Sequence, residues 1–95
     1  MQAKIKYNFS GKMWNGGWFF ISLPKSISKE IRNHLKWQEE GWGRMKATAK
    51  INELQWETAI WFDTKENTYL LPIKAEIRKK ACLKLNDIVT VSIAI

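Results

Sequence analysis

Apolar and polar residues alternate along most of this chain. Ile5, Tyr7 and Phe9 alternate with Lys4, Lys6, Asn8 and Ser10, the period-two signature of a half-buried strand. Ser10-Gly11-Lys12 and Asn15-Gly16-Gly17 read as turns, because Gly and Asn accept positive φ. Trp18 to Leu23 is aromatic and β-branched and predicts a second strand. Pro24 ends it, since proline has no N–H for the ladder. Ile27, Ile31 and Leu35 then recur at helical spacing, with Ser26 as the expected N-cap and Glu30 in the first turn. Glu39-Glu40-Gly41-Trp42-Gly43 breaks that helix, and Met45, Ala47, Ala49 and Ile51 resume the alternation as a third strand.

The same order follows again. Leu54, Trp56, Thr58, Ile60 and Phe62 fall on one face of a strand, and Asp63 to Asn67 form a polar turn. Thr68 to Leu71 read as a short strand ended by Pro72, and Ile73, Ile77 and Ala81 mark a helix. Leu85-Asn86-Asp87 is a turn with Asn86 expected in the left-handed region. Val89, Val91, Ile93 and Ile95 are the inward residues of the last strand.

Both halves contain Leu-Pro, a short gap, Glu-Ile-Arg, and then an alternating strand. Glu30-Ile31-Arg32 and Glu76-Ile77-Arg78 lie 46 positions apart, and the same offset carries Val91, Ile93 and Ile95 onto Met45, Ala47 and Ala49. A slip of one residue would have reversed every face. The prolines lie 48 apart, so the first copy carries two extra residues before its Glu-Ile-Arg. The expected architecture is a single domain, 1–95, that is mainly β: a double-split β-barrel with an internal pseudo-two-fold repeat (β-β-α-β twice) and two short helices. The halves run from about 1–52 and 53–95, and each alone is too small to enclose a core.

Charge adds a partner class. The chain of 95 residues carries a net charge of +7, which favours anionic partners such as nucleic acid, phosphorylated ligands or acidic proteins. A lysine-rich solubility surface accounts for the same charge. Cys82 is the only cysteine and has no internal disulfide partner, which fits a reducing compartment. The start of the chain lacks an apolar signal core, and Ile88 to Ile95 is too short to span a bilayer. A soluble cytoplasmic protein without a membrane partner is the expectation. Nothing in the chain names an oligomeric state.

Tyr69-Leu70-Leu71-Pro72-Ile73-Lys74-Ala75-Glu76-Ile77-Arg78, followed by Leu83-Lys84-Leu85-Asn86-Asp87-Ile88-Val89-Thr90-Val91, resembles the AbrB/MazE-type half-barrel. More closely, the whole chain resembles the bacterial family DUF1905. The matching features are the Phe9 strand, Gly16-Gly17-Trp18-Phe19-Phe20 with Leu23-Pro24, Ile51-Asn52, Trp56-Glu57-Thr58, Leu71-Pro72, Ile77-Arg78-Lys79 and Asp87-Ile88-Val89. That resemblance implies a double-split barrel in one chain and no established activity. Some relatives carry the domain fused to one linked to bacteriocin protection. Asn86 and Glu53 stand where the family pattern has Gly, both at turns.

Candidate chemistry is sparse. The chain has no Gly-x-Ser-x-Gly elbow, no phosphate-cradling Gly-rich loop and no paired His/Cys spacing for a metal. His34, the only histidine, reads as a solvated or capping residue near a helix end, and Glu39-Glu40 as a solvated helix-end pair. Lys79, Lys80 and Lys84 beside Cys82 could activate its thiol, but a small apolar filler beneath the helix is the commoner role. Two basic clusters stand out: Lys74, Arg78, Lys79, Lys80 and Lys84, and the matching Lys25, Lys29, Arg32 and Lys36. A two-fold basic surface suits two phosphate backbones. Thirteen of the 16 basic residues are lysines, however, so groups for bidentate base reading are few.

Six tryptophans are the other signal. Trp56 shares the inward face with Ile60 and Phe62, whereas Trp61 points outward. Trp14 is expected in a turn, and Trp37 and Trp42 in the helix-exit loop, as a lid over the barrel end or as a partner patch. The resulting expectation is a non-catalytic binding or interaction module with no cofactor and no metal. Its surface comprises Trp14, Trp37, Trp42, Arg32, Arg44, Arg78 and Lys79. The alternative is an AbrB-like nucleic-acid-binding protein.

Overall fold

Six strands close on themselves in the order β1-β2-β5-β4-β3-β6, so that β6 pairs back onto β1 and every neighbouring pair is antiparallel. The computed structural model describes residues 4–95, with the side chain of Trp42 outside that description. The strands are β1 (Lys6–Asn15), β2 (Phe19–Ser22), β3 (Arg44–Ile51), β4 (Leu54–Asp63), β5 (Thr68–Pro72) and β6 (Ile88–Ala94). Helix α1 (Lys25–Leu35) follows β2, and α2 (Ala75–Lys80) follows β5. Two 3-10 turns, Lys36–Gln38 and Gly41–Gly43, lead into β3. The fold is therefore a closed antiparallel barrel with two helices, as the alternation predicts.

Alternation fills the barrel from all sides. Tyr7 and Phe9 from β1 lie across from Ile93 and Val91 of β6, Met13 lies across from Ile21 of β2, and Met45, Ala47, Ala49 and Ile51 line β3. Trp56 and Ile60 on β4 are buried, as are Tyr69 and Leu71 on β5. Ala49 lies directly across from Trp56, so a methyl group leaves room for an indole. Because β2 and β5 run antiparallel, the helices that follow them leave from opposite ends of the barrel. Each is held by its apolar stripe: Ile31 and Leu35 of α1 and Ile77 of α2 are buried.

Local chemistry departs from expectation at five places. Ser10-Gly11-Lys12 is not a turn. β1 runs through it because Ser10, Gly11 and Lys12 stay in register with Thr90, Val89 and Ile88 of β6. Gly11 sits just before β1 takes up β2, and a Cβ there would stand 2.8 Å from Ile21 Cγ2 and 3.1 Å from the Ser22 carbonyl oxygen. The glycine is needed for close approach rather than for a turn. Consequently Trp14 lies on β1 and not in a loop.

The helix start also differs. Pro24 is the N-cap of α1, no side chain caps it, and no acid occupies its first turn, so neither Ser26 nor Glu30 plays the expected part. Ser28 matters instead. It is buried, and its Oγ accepts the Tyr69 backbone N–H at 3.0 Å, taking over where β2 has left the ladder. Cys82 is exposed at φ 54 after α2, not an apolar filler beneath it. Asn86, at φ 73, is left-handed as its residue type suggests.

Glu39 is the last departure, being a partner of the buried Tyr69 and the half-buried Arg32 rather than a solvated acid. Its Oε2 accepts from Arg32 Nη1 at 3.0 Å and from the Tyr69 hydroxyl at 3.2 Å. The Arg32 guanidinium stacks 4.0 Å from the Phe62 ring centroid, and Phe62 meets Tyr69 edge-on at 5.1 Å. This cluster seals the end of the barrel beside α1. Burial, reinforced by the Glu39 carboxylate and opposed by Arg32, pushes the Tyr69 phenol up to about 12.

Two consequences can be measured. Gly11→Ala should destabilise the fold by about 1–3 kcal/mol in urea titration, because the new methyl must displace Ile21 or the Ser22 carbonyl; unchanged stability would contradict the close approach. In the Tyr7→Phe protein Tyr69 is the only tyrosine, and its tyrosinate absorbance should appear near pH 12 rather than near the unperturbed value of about 10. The unfolded chain ionises first, so the tyrosine's contribution to stability is intact below about pH 10 and is lost as pH rises towards 12. A titration midpoint near the unperturbed value would contradict the buried, Glu39-bonded phenol.

Candidate binding surface

A closed barrel has an outer face too, and here it is divided. Across the middle of β6, β1 and β3 the outward side chains are largely polar and bonded to one another, although Ile88 at the start of β6 is apolar and 70% exposed. Ser10 Oγ and Thr90 Oγ1 lie 2.9 Å apart, Ser92 bonds Asn8, and Thr48 donates to Glu57 Oε1 at 2.9 Å while accepting from Lys4 Nζ at 2.8 Å. Where β2, β5 and the end of β4 meet, the outward side chains form an apolar row. Phe20 lies across from Pro72, and Leu70 lies across from Trp61. Trp14 extends the row onto β1, its ring 5.2 Å from that of Phe20 and its Nε1–H donating to Ser22 Oγ at 2.9 Å.

These residues form a groove of about 430 Å³ lined by Trp18, Phe20, Trp61, Leu70 and Pro72. Trp18 is 66% exposed and Trp61 42% exposed. The turn before β2 presents Trp18. Gly17 adopts φ 93, its N–H donates to Asn15 Oδ1 at 3.0 Å, and the Gly16 N–H donates to the Trp18 carbonyl at 2.9 Å. This turn therefore holds the Trp18 indole out in solvent, where its burial would be favourable.

Both flanks of the groove are basic. On the β3 side a recess of about 480 Å³ joins Trp18 and Trp61 to Arg44, Lys46 and Glu57. Arg44 lies 5.7 Å over the Trp61 ring, and Glu40 stands 3.9 Å from Arg44 and 3.8 Å from Lys46. These exposed ion pairs contribute little. On the α2 side a recess of about 330 Å³ joins Trp18 and Phe19 to Lys74 and Arg78. The Arg78 guanidinium is already stacked 3.9 Å from the Phe19 centroid and donates to the Ile73 carbonyl at 2.6 Å.

The residues expected from the sequence are therefore dispersed. Arg44 and Arg78 flank the groove, and Trp14 adjoins it through Phe20. Arg32 lines a different recess, with Lys25, Lys29, Phe62 and Asn67, and its guanidinium is engaged by Glu39 and Phe62. Trp37, 70% exposed on its 3-10 turn, does not line the groove, and Lys79 is exposed on α2. The Trp42 side chain lies outside the described residues. The groove's own residues were missing from the expected site. Their signal was parity: Phe20, Trp61, Leu70 and Pro72 are apolar at outward positions of strands whose inward positions are already apolar.

Among the described residues there is no group of three or more His, Cys, Asp or Glu able to hold a metal ion, and no helix is long and apolar enough to cross a membrane. A comparison with curated proteins found no match. The family model described as a domain of unknown function, DUF1905, matches residues 3–93. The match runs nearly from one end of the barrel-forming sequence to the other, and the chain belongs to the DUF1905 family.

Proposed function

We propose that this barrel is a non-catalytic binding module whose site is the aromatic groove across β2, β5 and β4. One observation carries the reading: the groove is apolar on an exterior that needs no apolar residues, since the interior is already filled. Trp18, Phe20, Trp61, Leu70 and Pro72 supply no nucleophile, general acid or general base. They do supply flat apolar area between basic flanks, which suits a ligand that is aromatic and anionic. A second copy of the chain is a poor occupant, because a net charge of +7 on each copy opposes the approach. A cytoplasmic setting accords with the exposed, unpaired Cys82.

We read the barrel, more finely, as a double-split barrel of two like halves, about 1–52 and 53–95. In support, exchanging β1 with β4, β2 with β5 and β3 with β6 leaves the list of neighbouring strands unchanged. Arg32 and Arg78, which occupy matching positions in the two Glu-Ile-Arg segments, each stack on a phenylalanine from the other half. The groove breaks this symmetry. The offset that relates the two prolines carries Trp18 onto Glu66 and Phe20 onto Thr68, so these two aromatics are not demanded by the shared framework.

Anilinonaphthalene sulfonate, a dye that is both aromatic and anionic, tests the groove. It should bind the folded protein saturably at one site. Trp18→Ala together with Trp61→Ala should weaken that binding by about 2 kcal/mol or more while the far-UV circular dichroism stays native. Trp37→Ala should leave it unchanged. Dye binding that survives the double substitution would overturn the assignment.

A further inference from the structure

We propose that the groove takes the bases of a single-stranded nucleic acid, an assignment that deepens the reading of this groove as the binding face and rests on it. The bases stack on Trp18 and Trp61, and the phosphodiester backbone runs along Arg44 and Lys46 on one flank and Lys74 on the other. Four features of the surface select this ligand.

The first is charge. A chain at +7 with lysine and arginine on both sides of an aromatic floor matches a polyanion whose charges flank flat rings. The exposed pairs that Glu40 makes with Arg44 and Lys46, at 3.9 and 3.8 Å, are weak enough to yield to phosphate. Glu57 carries the only carboxylate lining that recess; it pairs with Thr48 in the β3–β4 ladder, one same-face step beyond Lys46, and accepts the Thr48 hydroxyl.

The second is the pairing of the strands beneath the groove. β2 is paired with β1 and β5, and β5 with β2 and β4, so an extended peptide lying in the groove has no ladder to join there. The third is the chemistry of the floor. Phe20, Leu70 and Pro72 offer no side-chain hydrogen bond, and a peptide would leave its amides unsatisfied over them. Base stacking requires only ring faces. The fourth is strandedness. Paired bases hide their faces within the stack, whereas unpaired ones present them. Recognition of this kind tolerates any sequence, in keeping with a basic set of thirteen lysines and three arginines.

Fluorescence anisotropy with labelled oligothymidylate, and with the same strand in a duplex, tests the proposal. The single strand should bind at low salt, and the duplex at least about tenfold more weakly. Trp18→Ala should weaken single-strand binding about tenfold or more. Trp18 is 66% exposed, so this variant should keep the fold, and Trp18→Phe should restore much of the affinity. Lys46→Ala with Lys74→Ala should flatten the dependence of log K on log salt by about 0.7 per lysine removed. If oligothymidylate fails to bind while the aromatic dye still does, the nucleic-acid assignment falls and the groove stands. If neither binds, both fall. Preference for the duplex, indifference to Trp18→Ala, or equal competition by polyglutamate would each overturn the proposal, the last by showing that charge alone is recognised.

Discussion

Closure of the sheet is the constraint on which the rest depends. Each of the six strands hydrogen-bonds to two neighbours along part of its length, so the sheet closes and the inward side chains face one shared interior. With the register set, parity decides the fate of each residue. Met45, Ala47, Ala49 and Ile51 go in, while Arg44, Lys46 and Lys50 go out. Closure also imposes costs. β1 must leave β6 for β2 within one strand, and only a glycine at position 11 lets the backbone and Ile21 come close enough.

The two ends of the barrel are finished with arginine and phenylalanine. Arg32 over Phe62 and Arg78 over Phe19 present a guanidinium to a ring at 4.0 and 3.9 Å, covering apolar surface with a group that keeps its charge near water. Near α1 this is elaborated into a polar cluster in which Glu39 joins Arg32 to the buried Tyr69 hydroxyl. Two of the three arginines are therefore held by structure. Lysines carry most of the charge that remains for a partner.

Much of the barrel was legible in the sequence, because period two is a one-dimensional image of in and out. Val89, Val91, Ile93 and Ile95 are all buried as their alternation requires, and Pro24 and Pro72 mark where β2 and β5 give way to helices. What could not be read was anything decided across the barrel. Gly11 looks like a turn residue until Ile21 is placed beside it. Glu39 looks solvated until Tyr69 arrives from a strand thirty residues away. The groove was hidden for the same reason. Trp18, Phe20, Trp61, Leu70 and Pro72 come from three separate stretches, and only the β2-β5-β4 adjacency makes them neighbours. Tryptophans in apparent loops drew attention instead, and of these Trp37 stands apart from the groove lining.

The outer face thus carries a hydrogen-bonded polar stretch across β6, β1 and β3 and an aromatic groove where β2, β5 and β4 meet. Two-dimensional NMR of the tryptophan indole N–H groups, recorded as oligothymidylate is added, tests that division most directly. The account predicts that the Trp18 and Trp61 signals move together and saturate, while that of the buried Trp56 stays in place. Stationary Trp18 and Trp61 signals alongside movement of Trp37 alone would place the contact elsewhere and contradict it.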